Sequence, residues 1–177
     1  MSVPEAPLER SDAGMYPVGD GWFVANARDL RWFESELGLY TMLDSEEARF
    51  EQVGVNIGIL RPGEPNCMYH GEEAQENFLV LSGECLLIVE GQERLLKAWD
   101  FLHCPPWTEH AFVGAGGGPC VVVAVGARKK GRGLRYPVNE VARRHGAAVE
   151  EETSDPSVAY ARFAEDKPIA CPKEFPG

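Results

Sequence analysis

Between Phe50 and Val125 the sequence is cut repeatedly into short β-prone runs closed by turn residues. VGVNIGIL ends at Arg-Pro-Gly, NFLVLSG ends at Ser-Gly, and ECLLIVEGQERLL reads as two strands joined across Glu-Gly-Gln. WDFLHCPP stops at Pro-Pro, WTEHAFVG follows it, and AGGGP separates that run from CVVVAV. Proline has no amide hydrogen to give a ladder and glycine reaches backbone angles other residues avoid, so each stop has a physical cause. Runs at intervals of roughly 8–12 residues are the spacing of an all-β sandwich or barrel. No long helical period interrupts them.

The flanks differ in texture. Residues 1 to about 20 are rich in Pro, Gly and charge and are expected to form a loose arm. GWFVANARDLRWFESELG, from Gly21 to Gly38, mixes a short apolar strand with an aromatic-bearing segment. After Val125 two stretches look helical, NEVARRHGAAVE from Asn139 and SDPSVAYARFAED from Ser154. Asn139 and Ser154 or Asp155 suit N-caps, Pro156 suits a first turn, and Gly146 marks a stop. The expected division is therefore an arm and edge segment over 1–50, a β-barrel core over 51–126, and a linker with a helical extension over 127–177.

Charge narrows the partners. A net charge of −11 argues against nucleic acid, which demands concentrated Lys and Arg. The basic cluster ARKKGRGLR, Ala127 to Arg135, reads as a solvated linker rather than a phosphate site. The N-terminus carries no basic segment followed by an apolar one, and CVVVAV is far too short to span a bilayer, so no membrane partner is expected. The 5 scattered cysteines include no Cys-x-x-Cys pair, which points to reduced thiols and a cytoplasmic setting.

The chemistry concentrates in CMYHGEEAQENFLVLSGE, Cys67 to Glu84. In a strand, residues i and i+2 face one way, so His70 and Glu72 would point to the same side. If the strand resumes at Glu76, then Glu76, Phe78 and Val80 share its inner face. His110 and Phe112 show the same alternation after the Pro-Pro turn. Two neutral imidazoles with one or two carboxylates suit a divalent first-row ion: iron, manganese or zinc.

These residues carry a resemblance to the cupin superfamily. Its first motif runs Gly, His, His, Glu, Gly and its second Gly, Pro, Gly, His, Asn. PGEPNCMYHGEEAQENFLVLSG supplies Gly63, His70, Glu72, Glu76 and Gly83, and WDFLHCPPWTEH supplies Pro105 and His110. Glu76 and Gly83 keep the family spacing, and 15 residues (84–98) separate the motifs. The departures are specific. One extra residue lies between Gly63 and His70, and Glu72 stands where the second His belongs. In the second motif Trp99, Trp107 and Gly114 stand for the first Gly, the inner Gly and the Asn. The resemblance covers about residues 54–126 and implies a double-stranded β-helix, or jelly roll. It carries ligand roles to His70, Glu76 and His110, and gives Glu72 a ligand's place.

Two roles for Glu72 stay open, with the ligand role favoured because its place in the motif is the ligand's. As a fourth ligand it would fully neutralise a divalent ion; otherwise His70, Glu76 and His110 form a two-His-one-carboxylate set, with Glu72 nearby as a catalytic base. Met68, Gln75, Phe78, Val80, His103 and Phe112 are the expected pocket residues, His103 and Gln75 as polar contributors. Tyr69 is expected in packing, Cys67 and Cys104 as small buried residues, and His145 at a helix C-terminus. Glu73 reads as solvated and Arg61 as the surface end of a strand. The expected function is a metal-binding cupin acting on a small organic molecule, of dioxygenase, isomerase or lyase type. The alternative is a non-catalytic metal- or ligand-binding module with a regulatory role. The aromatic segment (Trp22, Phe23, Trp32, Phe33) could cover a partner's edge strand, so a homodimer is expected.

Overall fold

The computed structural model describes residues 2–129, 131 and 133–176. Two members of the basic cluster, Lys130 and Arg132, lie outside the described residues. In place of a loose arm, the chain opens with a hairpin, β1 (Leu8–Ser11) and β2 (Gly14–Pro17). A second hairpin follows, β3 (Trp32–Ser35) and β4 (Gly38–Met42), and then β5 (Val53–Leu60). The barrel continues with β6 (Gly71–Glu72), β7 (Glu76–Ser82), β8 (Glu84–Val89) and β9 (Gln92–Lys97). Next come β10 (Phe101–Cys104), β11 (His110–Ala115), β12 (Cys120–Ala127) and β13 (Leu134–Arg135). Two helices, α1 (Glu140–Arg144) and α2 (Pro156–Ala159), precede the last strand, β14 (Lys167–Ile169).

One sheet runs β10-β7-β12-β5-β4-β3-β14 and a second runs β11-β8-β9, all antiparallel. The fold is mostly β, as the cadence of turns predicts. Between the sheets lies a core in which Phe78, Val80, Leu87, Phe112 and Val122 are buried together. Burying each such side chain is worth roughly 1.5–3 kcal/mol. The outer faces are covered as well. Ala142, Ala147 and Ala148 pack against Ile88, Ala111 and Val113, while Trp32 and Phe175 (ring centroids 5.1 Å apart) shield Ile57, Ile59 and Val121. Cover on both faces explains why CVVVAV is an unbroken apolar run rather than an alternating one.

The turns repeat what the sequence says, with one addition. Glu90 (φ 49°) and Gly91 (φ 69°) make the two-residue β8–β9 connection, both left-handed as a type I′ turn demands. Trp99 and Trp107, standing where the second motif has glycines, keep positive φ of 75° and 71°. The backbone shape of the motif therefore survives the loss of its glycines, at about 1–2 kcal/mol each. Gly114, in the place of the motif's Asn, has no choice: a Cβ there would lie 2.1 Å from the Arg61 carbonyl oxygen.

The helical extension is shorter than its pattern suggests. Asn139 caps α1 by accepting from the amides of Val141 and Ala142, and Gly146 (φ 71°) stops the chain just beyond. Asp155 caps α2 by accepting from Ser157, but the helix ends by Tyr160. Single turns are not stable alone, so tertiary packing holds both. Of the N-terminal aromatics, Trp32 is buried in its own chain, Phe33 stacks on Tyr40 (5.2 Å) and Phe23 on Phe50 (6.2 Å). Trp22 stays exposed. None of the helices is long and apolar enough to cross a membrane, among the described residues.

Candidate metal centre

Three ligand-bearing side chains converge at one end of the barrel. Ligand atoms of His70, Glu76 and His110 all lie within 4.8 Å of one another. Glu76 opens β7 and His110 opens β11, both inward by strand alternation. His70 precedes β6 and forms a two-way bridge with His110: the His70 amide donates to the His110 carbonyl (3.2 Å), and the His110 amide donates back (2.8 Å). That bridge brings the imidazole centroids to 5.1 Å. His110 Nε2 lies 3.4 Å from Glu76 Oε2.

The rings are oriented by their own backbone. His70 Nδ1 lies 2.8 Å from the Met68 carbonyl and His110 Nδ1 lies 3.0 Å from that of Thr108. A carbonyl only accepts, so each Nδ1 carries the proton and each Nε2 keeps the lone pair. Burial holds His110 below the ordinary imidazole range, opposed by the Thr108 carbonyl and the Glu72 charge. A neutral, Nε2-directed imidazole is the form that ligates a metal, and a carbonyl on the other nitrogen is its usual support. The residues present therefore fit a divalent ion.

Glu72 is buried, 3% exposed, and its charge reaches His110, yet it is not one of the three side chains whose ligand atoms converge. Its carbonyl accepts from the Trp107 amide (2.7 Å), tying it to the left-handed turn before β11. Glu73 is not merely solvated: it pairs with Lys129 and accepts from the Gly133 amide (3.2 Å), and Lys129 holds its carboxyl below the usual range. Among the described residues, no thiol is part of the converging group. Burial pushes Cys67 up strongly, helped by the Glu76 charge, and pushes Cys104, opposite Glu76 in the ladder, to about 12.

Beside the triad lies a cavity of about 510 Å³. Leu60, Asn66, Phe78, Phe112, Val122 and Ala124 form its inner wall. Its outer wall comes from the β3–β4 turn and from the stretch after α2, Tyr160 and residues 163–166. Phe78 links the two regions, its ring 5.1 Å from His110 and 4.8 Å from Phe112.

Of the six expected pocket residues, Phe78 and Phe112 line this cavity. Val80 is sealed in the core. Met68, also buried, lines a second, smaller hollow and contributes to the triad through its carbonyl. Gln75 and His103 are exposed instead; His103 Nδ1 meets the outward Asn77 side chain at 2.8 Å. The register explains it, since His103 pairs with Asn77, one position out of phase with Glu76 and Phe78. Tyr69 is fully buried, and His145 sits at the end of α1, 2.8 Å from Glu93. Arg61 is bound to Glu64 (3.5 Å) and Glu174 (3.2 Å).

Sequence reasoning missed three residues. Tyr136, from the stretch after β13, lies with its ring 5.6 Å from His70 and 5.8 Å from Tyr160. Tyr160 accepts from the Met68 amide (3.2 Å) and lines the cavity; burial pushes its phenol up. Asn66 accepts from the Phe112 amide (2.8 Å). Asn66 lies within the first motif and could have been flagged there; Tyr136 lies outside both motifs, and Tyr160 lies in the stretch read only as a helix.

The family model for the cupin domain matches residues 56–126. A search of curated proteins found no match. Among solved structures, a candidate sugar phosphate isomerase from Acidithiobacillus ferrooxidans superposes with a TM-score of 0.52 at 17% identity, over 75% of this chain and 76% of that one. A sugar phosphate isomerase of the cupin superfamily from Silicibacter pomeroyi shares 26% identity over 47% of this chain, with a TM-score of 0.45. The match spans 55% of that protein, little more than half its length. A DMSP lyase from Ruegeria pomeroyi aligns at 17% identity and a TM-score of 0.46, over 73% of this chain and 59% of that one. The first of these carries the fold. Residues 56–126 of this chain are a cupin domain.

Proposed function

We propose that this cupin holds one divalent transition metal ion on His70, Glu76 and His110 and acts on a small organic molecule seated in the adjoining cavity. The observation that carries the reading is the pair of carbonyl-oriented imidazoles aimed, with Glu76, at one point. A metal held there would act as a Lewis acid, or as a redox centre if it is iron or manganese. The protein's own contributions are positional. Phe78 and Phe112 exclude water from the side of the site facing the cavity, and Asn66 offers a polar edge on that wall. Glu72, buried beside the triad but outside its converging ligand atoms, is the acid–base group that exchanges a proton with the substrate.

Elemental analysis of protein purified without added metal tests the ligand set. One ion per chain is expected, lost in His110→Ala. Glu72→Ala should retain the ion and lose turnover; an empty Glu72→Ala protein would restore Glu72 as a ligand. The reaction type, whether dioxygenase, isomerase or lyase, is read from turnover under iron with a panel of small substrates. A second reading, a non-catalytic binding module, draws on one observation: the triad side chains do not themselves line the cavity, and Phe78 stands between. Metal binding with ligand binding and no turnover would favour it. A homodimer remains part of the proposal, and sedimentation at micromolar concentration checks it: a monomeric mass would refute it.

A further inference from the structure

We propose that the 510 Å³ cavity selects a small organic cation of the alkylammonium class. This rests on reading the cavity as the substrate site and adds the charge of what enters it. The walls are aromatic: Tyr40, Phe78, Phe112, Tyr160 and Phe163 all contribute to the lining. Aromatic rings attract a soft cation through their quadrupole, most strongly where water is excluded, and alkylammonium groups are the ligands that such walls hold best. The rim is acidic: Glu36, Glu165 and Asp166 border the opening.

The opposite charge is missing from the lining. Among the described residues, no Lys or Arg borders the cavity. Of the bases next in sequence to lining residues, Lys167 lies on β14 opposite Glu34, and two others are committed elsewhere. Arg162 lies over the Phe163 ring (4.7 Å to the centroid) and donates to the Gly146 carbonyl at 2.8 Å. Arg61 is held by Glu64 and Glu174. A phosphorylated or carboxylated molecule would give up its hydration and meet three carboxylates with no Lys or Arg in the lining to offset them, which is a steep penalty. A neutral apolar molecule would fit the walls but gain nothing from the rim.

Two of the three rim carboxylates are held by hydrogen bonds. Tyr40 donates to Asp166 Oδ2 at 2.6 Å, and the Ala164 amide donates to Glu36 Oε1 at 3.0 Å. Asp166 and Glu36 are thus each oriented through one oxygen at the opening. The net charge of −11 draws cations toward the protein at long range as well.

Calorimetry with three probes of one carbon framework tests this on the full chain, with and without added metal. The probes are choline, its neutral carbon isostere dimethylbutanol, and the anion tert-butylacetate. Choline should bind about tenfold or more tighter than dimethylbutanol, and tert-butylacetate should not bind. The double substitution Glu36→Gln and Asp166→Asn should cut the choline preference several-fold while circular dichroism stays unchanged. Ala124→Phe, which fills the cavity, should abolish choline binding. Equal or tighter binding of the neutral probe, binding of the anion, no binding of any probe, or choline binding that survives Ala124→Phe would each overturn the proposal. The two readings fail separately. Choline binding without any metal uptake sinks the metal-dependent function alone; metal uptake with turnover of an anionic substrate sinks the cation preference alone.

Discussion

The triad and the cavity share Phe78 yet are assembled in opposite ways. The triad draws its side chains from the barrel: Glu76 and His110 start adjacent inner faces, and His70 is bridged directly to His110. Its two ring orientations are set within two residues of each imidazole, by the carbonyls of Met68 and Thr108. The cavity draws only its inner wall from the barrel. Its outer wall arrives from the β3–β4 turn and from residues 160–166, far apart in sequence and joined by Tyr40–Asp166 and Glu36–Ala164. Local geometry thus fixes the groups for chemistry, while chain segments added outside the barrel fix what those groups meet. The same barrel can keep one centre and change its ligand by changing its flanks.

The comparison breaks most visibly at the triad. His110→Ala, or Glu76→Gln with Oε2 no longer a carboxylate oxygen beside His110 Nε2, should take metal content from one per chain to none detectable by plasma mass spectrometry. Ala124→Phe should leave it at one. Metal loss in Ala124→Phe would show that the two regions are a single unit. Removing the metal from wild-type protein should lower its melting temperature, because a ligand that binds only the folded state stabilises it by mass action. The same removal should leave the His110→Ala protein unaffected.

The walls of the cavity can be ranked next. Phe78 is buried in the inter-sheet core and touches both Phe112 and His110. Phe78→Ala should cost about 3–5 kcal/mol in urea unfolding, the range for deleting a buried aromatic ring. Phe163, half-buried on the added wall, should cost less than half as much. Equal costs would mean that the C-terminal stretch is as much part of the core as β7 is.

A smaller effect is expected where the added wall is pinned. Tyr40→Phe removes the donor to Asp166 and should cost about 1 kcal/mol. The loss should be local: faster hydrogen exchange in residues 160–166, with barrel amides unchanged. Uniformly faster exchange would contradict the picture of an outer wall added to an independent barrel.

How much of this is legible from the sequence follows the same division. The barrel strands are read from turn chemistry, and Glu90-Gly91, Gly63 and Gly83 sit at positive φ where the pattern needs them. The three converging side chains, His70, Glu76 and His110, are read from alternation and motif. Three things were not readable. His103 and Gln75 fall on the outer face because strand phase, not nearness to a motif, decides direction. The helix α2 is shorter than its pattern predicts and ends at Tyr160, whose hydroxyl accepts from the Met68 amide. The cavity's outer wall joins stretches more than a hundred residues apart, and periodicity carries no information about such contacts.

The smallest effect concerns Trp99 and separates backbone shape from side-chain contact. Trp99 holds a left-handed turn (φ 75°) where the second motif has glycine, with its side chain 74% exposed. Its amide donates to the Val80 carbonyl at 2.7 Å, so the turn anchors β10 onto β7. Trp99→Gly relieves about 1–2 kcal/mol of left-handed strain. It also loosens the unfolded chain, which takes back roughly 0.5–1 kcal/mol. The net should be a stabilisation of no more than about 1.5 kcal/mol, since little packing is lost. Trp107 has the same backbone (φ 71°) but its ring fills the space beside Gly133, where a Cβ would come within 2.7 Å of it, and its amide holds the Glu72 carbonyl. Trp107→Gly should therefore gain less than Trp99→Gly or lose stability outright. Denaturant midpoints of the two variants decide it: equal gains would mean that the Trp107 ring contributes nothing to the triad end of the barrel, and that its backbone alone holds Glu72 in place.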